Sequence, residues 1–356
     1  MLRQGHKLQS SRGKSTSSQS KFSVRCNVAS ESAPDTKYTI NIIPKNGDGK
    51  HSVNGVPSVM GAHLMASGFV APVSTSTGAG LNVYPPEVAY YSKPGEGLNV
   101  MLHATAAAAG SSLAKIVAEA SDAAIKAKGS FTLVLSGGSL PSSLSSLLTY
   151  KGNIQWDKFY IFFVDERNVP HSSDDSNLKA AREALLSKVP IPATQVFGIL
   201  EGQGVREAAV HYEGQLVGLP TSVLPRNAQG FPVFDLILLG VGPDGHVASL
   251  FPHRSSLTET KRWVLPIDNS PKPPPERITF TLPVINAAKE VAFVALGAGK
   301  AEVVQRTLEV QALPGALPAQ LVRPESGKLR WLLDVSSAQN LDIANWDDVK
   351  QFPRSQ

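Results

Sequence analysis

The sequence predicts an α/β fold: a mostly parallel, Rossmann-like three-layer sheet with helices on both faces, in a single catalytic domain. Three observations carry this. Short, largely apolar runs at 131–135, 159–164 and 234–239 suit strands buried on both faces. Segments with apolar residues at helical spacing lie between them. Polar and glycine-rich text follows the strands directly, where open α/β sheets hold ligands.

The ordered text begins near residue 97. A strand is predicted over 99–103, then a helix over 111–128 with Leu113, Ile116, Val117, Ala120, Ala124 and Ile125 on one side. After the strand at 131–135, Pro141 suits the first turn of a helix reaching Thr149. Ser176 or Asp175 can cap a helix carrying Ala180, Ala184 and Leu185. A further helix is expected over 203–217. Strands follow near 262–267, 277–281 and 291–296, then a helix from Lys300 to Leu308 and a last strand from Arg330 to Asp334.

The front reads differently. Residues 1–30 hold six lysines and arginines, many serines and no acid, the composition of an organellar transit peptide. They lack the apolar run of a secretory signal. A plastid address is predicted, with the cytosol or a mitochondrion as alternatives. Residues 31–95 are rich in Gly, Pro, Ser, Thr and Asn, and read as a poorly ordered extension with one short strand at 38–43. The catalytic domain is placed over 96–350.

The chain has 356 residues and a formal charge of +5, which would suit an acidic partner. Without the leader, 28 basic residues stand against 29 acidic ones, so nucleic acid is not expected as a partner. No stretch approaches the roughly 20 apolar residues that span a bilayer, and no membrane partner is expected. The single cysteine excludes an intrachain disulfide and a cysteine-based zinc cluster. No metal is expected, and a monomer or weak homo-oligomer is.

Four strand ends carry candidate chemistry. Ser136-Gly137-Gly138-Ser139 can curl its backbone N–H groups into an anion nest before a helix start. Asp165-Glu166-Arg167 puts three charges at the end of a buried strand, where Arg167 suits a bidentate grip on phosphate or carboxylate. The third run is Gly240-Val241-Gly242-Pro243-Asp244-Gly245-His246. It contains G-x-G-x-x-G formally, but Pro243 removes an amide, the helix beyond is short, and no acid ends a second strand about 20 residues on. A dinucleotide is therefore not expected, and His246 reads as a general base. Asp165 or Asp244 can orient it. The fourth element pairs Lys272 and Arg277, flanking a proline-stiffened loop, with Gly297-Ala298-Gly299-Lys300. The latter lacks the full P-loop pattern. Together these cations beside an anion nest favour a phosphorylated substrate.

Read together, these motifs resemble the 6-phosphogluconolactonase family of the glucosamine-6-phosphate isomerase/6-phosphogluconolactonase superfamily. The resemblance runs from about residue 98 to 337. It rests on the Ser136–Ser139 loop, Val164-Asp165-Glu166-Arg167, Asp175-Ser176-Asn177, the run from Gly240 through His246 to Pro252, Pro271–Thr279, and Gly299-Lys300-Ala301. It implies a NagB/RpiA-like fold, no cofactor, and hydrolysis of 6-phospho-D-glucono-1,5-lactone with His246 activating water. It implies phosphate contacts from Ser136, Gly137, Gly138, Ser139, Arg277 and Lys300. Asp165 and Arg167 join His246 as catalytic candidates, and Asp244 and Lys272 are further substrate-binding candidates. The alternative is a glucosamine-6-phosphate deaminase/isomerase. Those enzymes carry an acid soon after the histidine, whereas here none occurs before Glu259.

Overall fold

A computed structural model describes residues 98–342 except Gly327, together with strands at 22–27, 39–44 and 87–93. It divides into two units, residues 1–55 and 56–356. In the first, β1 (Phe22–Asn27) pairs antiparallel with β2 (Thr39–Pro44). The strand expected at 38–43 is β2. The rest of the leader and most of the extension read over 31–95 lie outside the described residues.

The second unit opens with β3 (Glu87–Lys93) and β4 (Leu98–His103). β3 was not foreseen. It pairs antiparallel with β4, so the main sheet begins ahead of the boundary read at residue 96. Its β-favouring run is short and stands between the breakers Pro85-Pro86 and Pro94-Gly95, which mask it in the text.

Helix α1 (Ala106–Lys128) starts five residues earlier than its apolar spacing indicates. The side chain of Thr105 caps it by accepting from the Ala108 N–H at 3.1 Å, and Gly129 ends it in the left-handed region. Strand β5 (Phe131–Leu135) follows, then α2 (Leu140–Leu144), which gives way to a 3₁₀ turn at Ser145–Thr149. The single helix expected there is tightened by hydroxyls. Ser142, Ser145 and Thr149 each donate to the carbonyl three residues back.

Beyond lie β6 (Phe159–Phe163), β7 (Asp165–Arg167), α3 (Asn177–Ala184), α4 (Val205–Val217), β8 (Leu236–Leu239) and β9 (Val264–Ile267). The chain then runs through β10 (Arg277–Phe280), α5 (Leu282–Asn286), β11 (Val291–Ala295), α6 (Ala301–Glu309) and β12 (Leu329–Asp334).

The main sheet has the order β3-β4-β12-β11-β8-β5-β6, and every pair except β3–β4 is parallel. Alternate residues of each strand feed two separate cores. Phe131, Leu133 and Leu135 pack with Leu113 and Val117 of α1 and with residues of α2 and α3. Val134, Ile237 and Phe293 pack on the other side with Tyr212 of α4 and Val304 of α6. The three layers expected from the sequence are therefore present. A second, antiparallel sheet, β7-β10-β9, forms separately.

The amino ends of β5 and β8, opposite the ligand-holding ends of the sheet, are pinned by Asp235. Its carboxylate accepts from the Thr132 N–H and hydroxyl, each at 2.9 Å, and pairs with Lys128 at 3.0 Å and Lys289 at 2.9 Å. Burial lowers the pKa of Lys128, and Asp235 opposes that fall. Removing the carboxylate leaves Lys128 largely buried without a counter-charge, held only by the Ser130 hydroxyl and the Val223 carbonyl. Asp235→Ala should lower the unfolding free energy by about 3 kcal/mol in urea titrations. A loss below about 1 kcal/mol would reduce the cluster to a surface ion pair.

Candidate active site

From β5 the chain moves to its neighbour β6 on one side, and from β8 it moves to β11 on the other. The carboxyl ends of β5 and β8 therefore flank a topological switch point, where open sheets leave a crevice. A cleft of about 190 Å³ lies there. Its lining includes the Ser136–Ser139 loop after β5, Gly240–Pro243 and His246 after β8, and Asp165, Arg167, Arg277 and Lys300. Five sequence segments that are distant in the chain thus converge.

The loop after β8 folds back on itself, with the Gly242 N–H donating to the His246 carbonyl at 2.9 Å. This lays the imidazole over Gly242. A methyl group there would sit 1.9 Å from the ring, so only glycine admits it. The Asp244 carboxylate accepts from His246 Nδ1 at 2.5 Å. That fixes the proton on Nδ1 and leaves Nε2 as the proton acceptor. Burial is the largest influence on His246 and lowers its pKa. Asp244 opposes this, Lys272 reinforces it, and Asp165 adds a small upward pull. Asp244 is itself held at about 2, because its hydrogen bonds and charge pairing with His246 and Lys272 outweigh the burial that would raise it.

β7 explains how three consecutive charges divide their work. In a strand, alternate side chains face opposite ways. Asp165 and Arg167 line the cleft, and Glu166 turns to the start of α3. Its buried carboxylate accepts from the N–H groups of Arg167, Asn177 and Leu178, each at 2.8 Å. Burial pushes the Glu166 carboxyl up to about 7 against the pull of those donors. Asn177 then donates to the Asp165 carbonyl at 2.8 Å and packs on Gly137, where a methyl group would strike its amide at 1.9 Å. Glu166 was read only as part of a charged motif. Its burial depends on a register that the text does not display.

Ser249 was not singled out either. It is fully buried and donates to Asp165 at 2.8 Å, while Arg277 reaches its hydroxyl at 3.4 Å. Ala248 before it holds φ 50°, a conformation that costs a non-glycine residue about 1 kcal/mol. The ring of Phe251 lies 4.8 Å from that of His246 and 5.8 Å from the Arg277 guanidinium.

The cations crowd one another. Burial, then Arg167, lowers the pKa of Arg277, and burial, then Lys272, lowers that of Lys300. Lys300 donates to the Val241 carbonyl at 2.7 Å, and Arg167 to the Asp175 carbonyl at 2.6 Å. Arg167 Nε is buried without a hydrogen-bond partner among the described residues. Such a cluster is relieved by an anion. Lys272 and Asp244, also expected to touch substrate, meet at 3.1 Å beside His246, next to the residues that line the cleft. A larger hollow of about 620 Å³ lies beyond Ser249 and Phe251, but it lacks His246, Arg167 and Lys300. Among the described residues, no group of three or more His, Cys, Asp or Glu side chains is placed to hold a metal ion.

A glycine loop, clustered cations and a carboxylate-held histidine meet at the switch point of a parallel α/β sheet, an arrangement able to set a base beside an anion. Comparison with known proteins narrows the class. Residues 104–331 match the family described as glucosamine-6-phosphate isomerases/6-phosphogluconolactonase, and the chain belongs to that family. It is 48% identical over 233 residues to 6-phosphogluconolactonase 3, chloroplastic, of Arabidopsis thaliana, covering 64% of this chain and 71% of the relative. It is 46% identical over 237 residues to probable 6-phosphogluconolactonase 4, chloroplastic, of Oryza sativa subsp. indica, covering 64% and 73%. Among solved structures, the 6-phosphogluconolactonase of Trypanosoma brucei superposes with a TM-score of 0.57 at 30% identity, over 68% of this chain and 98% of the other.

Glu166→Ala strands three backbone donors in the interior. It should cost about 3 kcal/mol in urea unfolding, the upper end for unsatisfied buried groups. A change within about 0.5 kcal/mol would show that water replaces the carboxylate freely.

Proposed function

We propose that the chain hydrolyses 6-phospho-D-glucono-1,5-lactone to 6-phospho-D-gluconate, the second step of the oxidative pentose phosphate pathway. The observation that carries this reading is His246. Asp244 holds its Nδ1, and the ring lines a cleft shared with Arg167, Lys300 and the Ser136–Ser139 loop. Family membership and the names of the plant relatives support it.

The chemistry asks little beyond these groups. A lactone is an activated ester, so no covalent nucleophile is needed. The substrate phosphate rests on the glycine loop with Arg277 and Lys300. His246 Nε2 takes a proton from water as the water oxygen attacks the lactone carbonyl. Arg167 faces the negative charge that develops on the carbonyl oxygen. The C–O bond of the ring then breaks, and the imidazolium returns its proton to the departing ring oxygen. Asp165, held by Ser249, keeps the Arg167–Arg277 side of the cleft in place. Asp244 fixes the tautomer throughout.

We assign the mature enzyme to the plastid stroma. The acid-free, Ser- and Arg-rich residues 1–30 support this address, as do relatives named chloroplastic.

The deciding assay generates the lactone in situ with glucose-6-phosphate dehydrogenase and follows its loss against the spontaneous rate. Acceleration by the purified protein is expected, and its absence would sink the proposal. His246→Asn should lower the rate by about 10²–10⁴-fold while 6-phosphogluconate still binds; turnover within about twofold of wild type would remove the residue from this role. The base works unprotonated, so kcat/KM falls as pH drops through its pKa. Because that pKa is lowered, the fall should come below histidine's ordinary value of about 6.5. A pH–rate profile with its acid limb above 7 would contradict this assignment.

A further inference from the structure

We propose that Lys272 is a positioning residue that acts through His246: its ammonium is a fixed counter-charge that offsets Asp244 and keeps the imidazole ready to accept a proton. This deepens the hydrolase reading and rests on it for the kinetic part.

The placement is specific. Lys272 Nζ lies 3.1 Å from Asp244 Oδ1 and 3.2 Å from His246 Nδ1. Nδ1 already carries the proton that it gives to Asp244, so the second contact is one of charge beside ring, not a donated hydrogen bond. The mount is stiff. The Ser270 hydroxyl donates to the Lys272 carbonyl at 2.7 Å and accepts its N–H at 3.2 Å. Arg277 donates to the carbonyls of Lys272, Pro273 and Pro274 at 3.0, 2.9 and 3.0 Å. Four prolines between residues 271 and 275 remove further freedom. These bonds fix the backbone from which the side chain leaves, and the ammonium itself is held at its tip by Asp244.

The charges around His246 divide simply. Asp244 on its own loop and Asp165 from β7 favour the imidazolium, and Lys272 from the proline loop opposes it. Arg167, Arg277 and Lys300 line the same cleft, and Phe251 against the ring carries no charge. A histidine paired with a carboxylate alone is pulled toward its protonated form, which is useless as a base. A lysine on the same carboxylate lets Asp244 orient the ring without charging it.

The test is an NMR titration of the ¹⁵N-labelled His246 imidazole in the free protein, with pH profiles of kcat/KM alongside. In Lys272→Met the midpoint should rise by about one pH unit, the low end for a like charge this close to a partly exposed site. The acid limb of kcat/KM should move with it, and KM should change less than kcat. Lys272→Arg, which keeps the charge, should restore both. An unchanged midpoint in Lys272→Met overturns the proposal, whether KM rises, as for a substrate ligand, or stays the same. If Lys272→Met does not fold, Lys272→Gln carries the same expectation. If the wild type fails to hydrolyse the lactone, the functional reading falls, while the titration still decides the role of Lys272.

Discussion

The carboxylate of Glu166, buried and fed by three backbone N–H groups, is the constraint on which the site's arrangement rests. Those groups belong to β7 and to the first turn of α3, so one side chain joins the two elements, beside the direct bond from Asn177 to the Asp165 carbonyl. The consequences travel outward. With α3 fixed, Asn177 holds the Asp165 backbone and presses on Gly137, which sets the glycine loop. With β7 fixed, Asp165 and Arg167 both face the cleft, because a strand sends alternate residues the same way. An uncapped β7 would lose that order.

The histidine side is built on a different principle. The bare Cα of Gly242 makes space for the ring, and Asp244 decides its tautomer. Ser249 and Phe251 join this half to the other, the first by hydrogen bonds to Asp165 and Arg277, the second by lying beside both His246 and Arg277. The cleft is thus lined by cations whose neighbours repel them and by one well-oriented acceptor. In the proposed hydrolysis the cations receive an anionic substrate, and the acceptor takes a proton from the attacking water.

Much of this was legible in the text. The main parallel strands stand out because burial on both faces demands unbroken apolar runs, and ligand chemistry collects after them. Each strand end named from the sequence sends at least one residue to the cleft, His246 included, though the proline loop at 271–275 itself does not line it. What stayed hidden depends on register. β7 has three charged residues and no apolar pattern, so nothing marks it as a strand until Arg167 is seen opposite Arg277 and Asp165 opposite Thr279. For the same reason the sequence does not set Glu166 apart from its two charged neighbours. That Lys272 lies against Asp244 and His246 is also invisible in the sequence, since residues 272 and 246 meet only through the fold. The choice between Asp165 and Asp244 as the histidine's partner likewise needed the turn at Gly242–Gly245, which brings residues 244 and 246 together.

The order of the main sheet has a bearing on biogenesis. β12, near the end of the chain, lies between β4 and β11, pairing Leu329 with Leu98 and with Val291. The sheet therefore has a gap at an interior position until residues 329–334 have left the ribosome. Non-local pairing of this kind is slow to form. A nascent chain cannot close this sheet until β12 has been made. Such late closure favours a precursor that is handed on unfolded, the form in which a protein destined for an organelle is most readily threaded through a membrane pore.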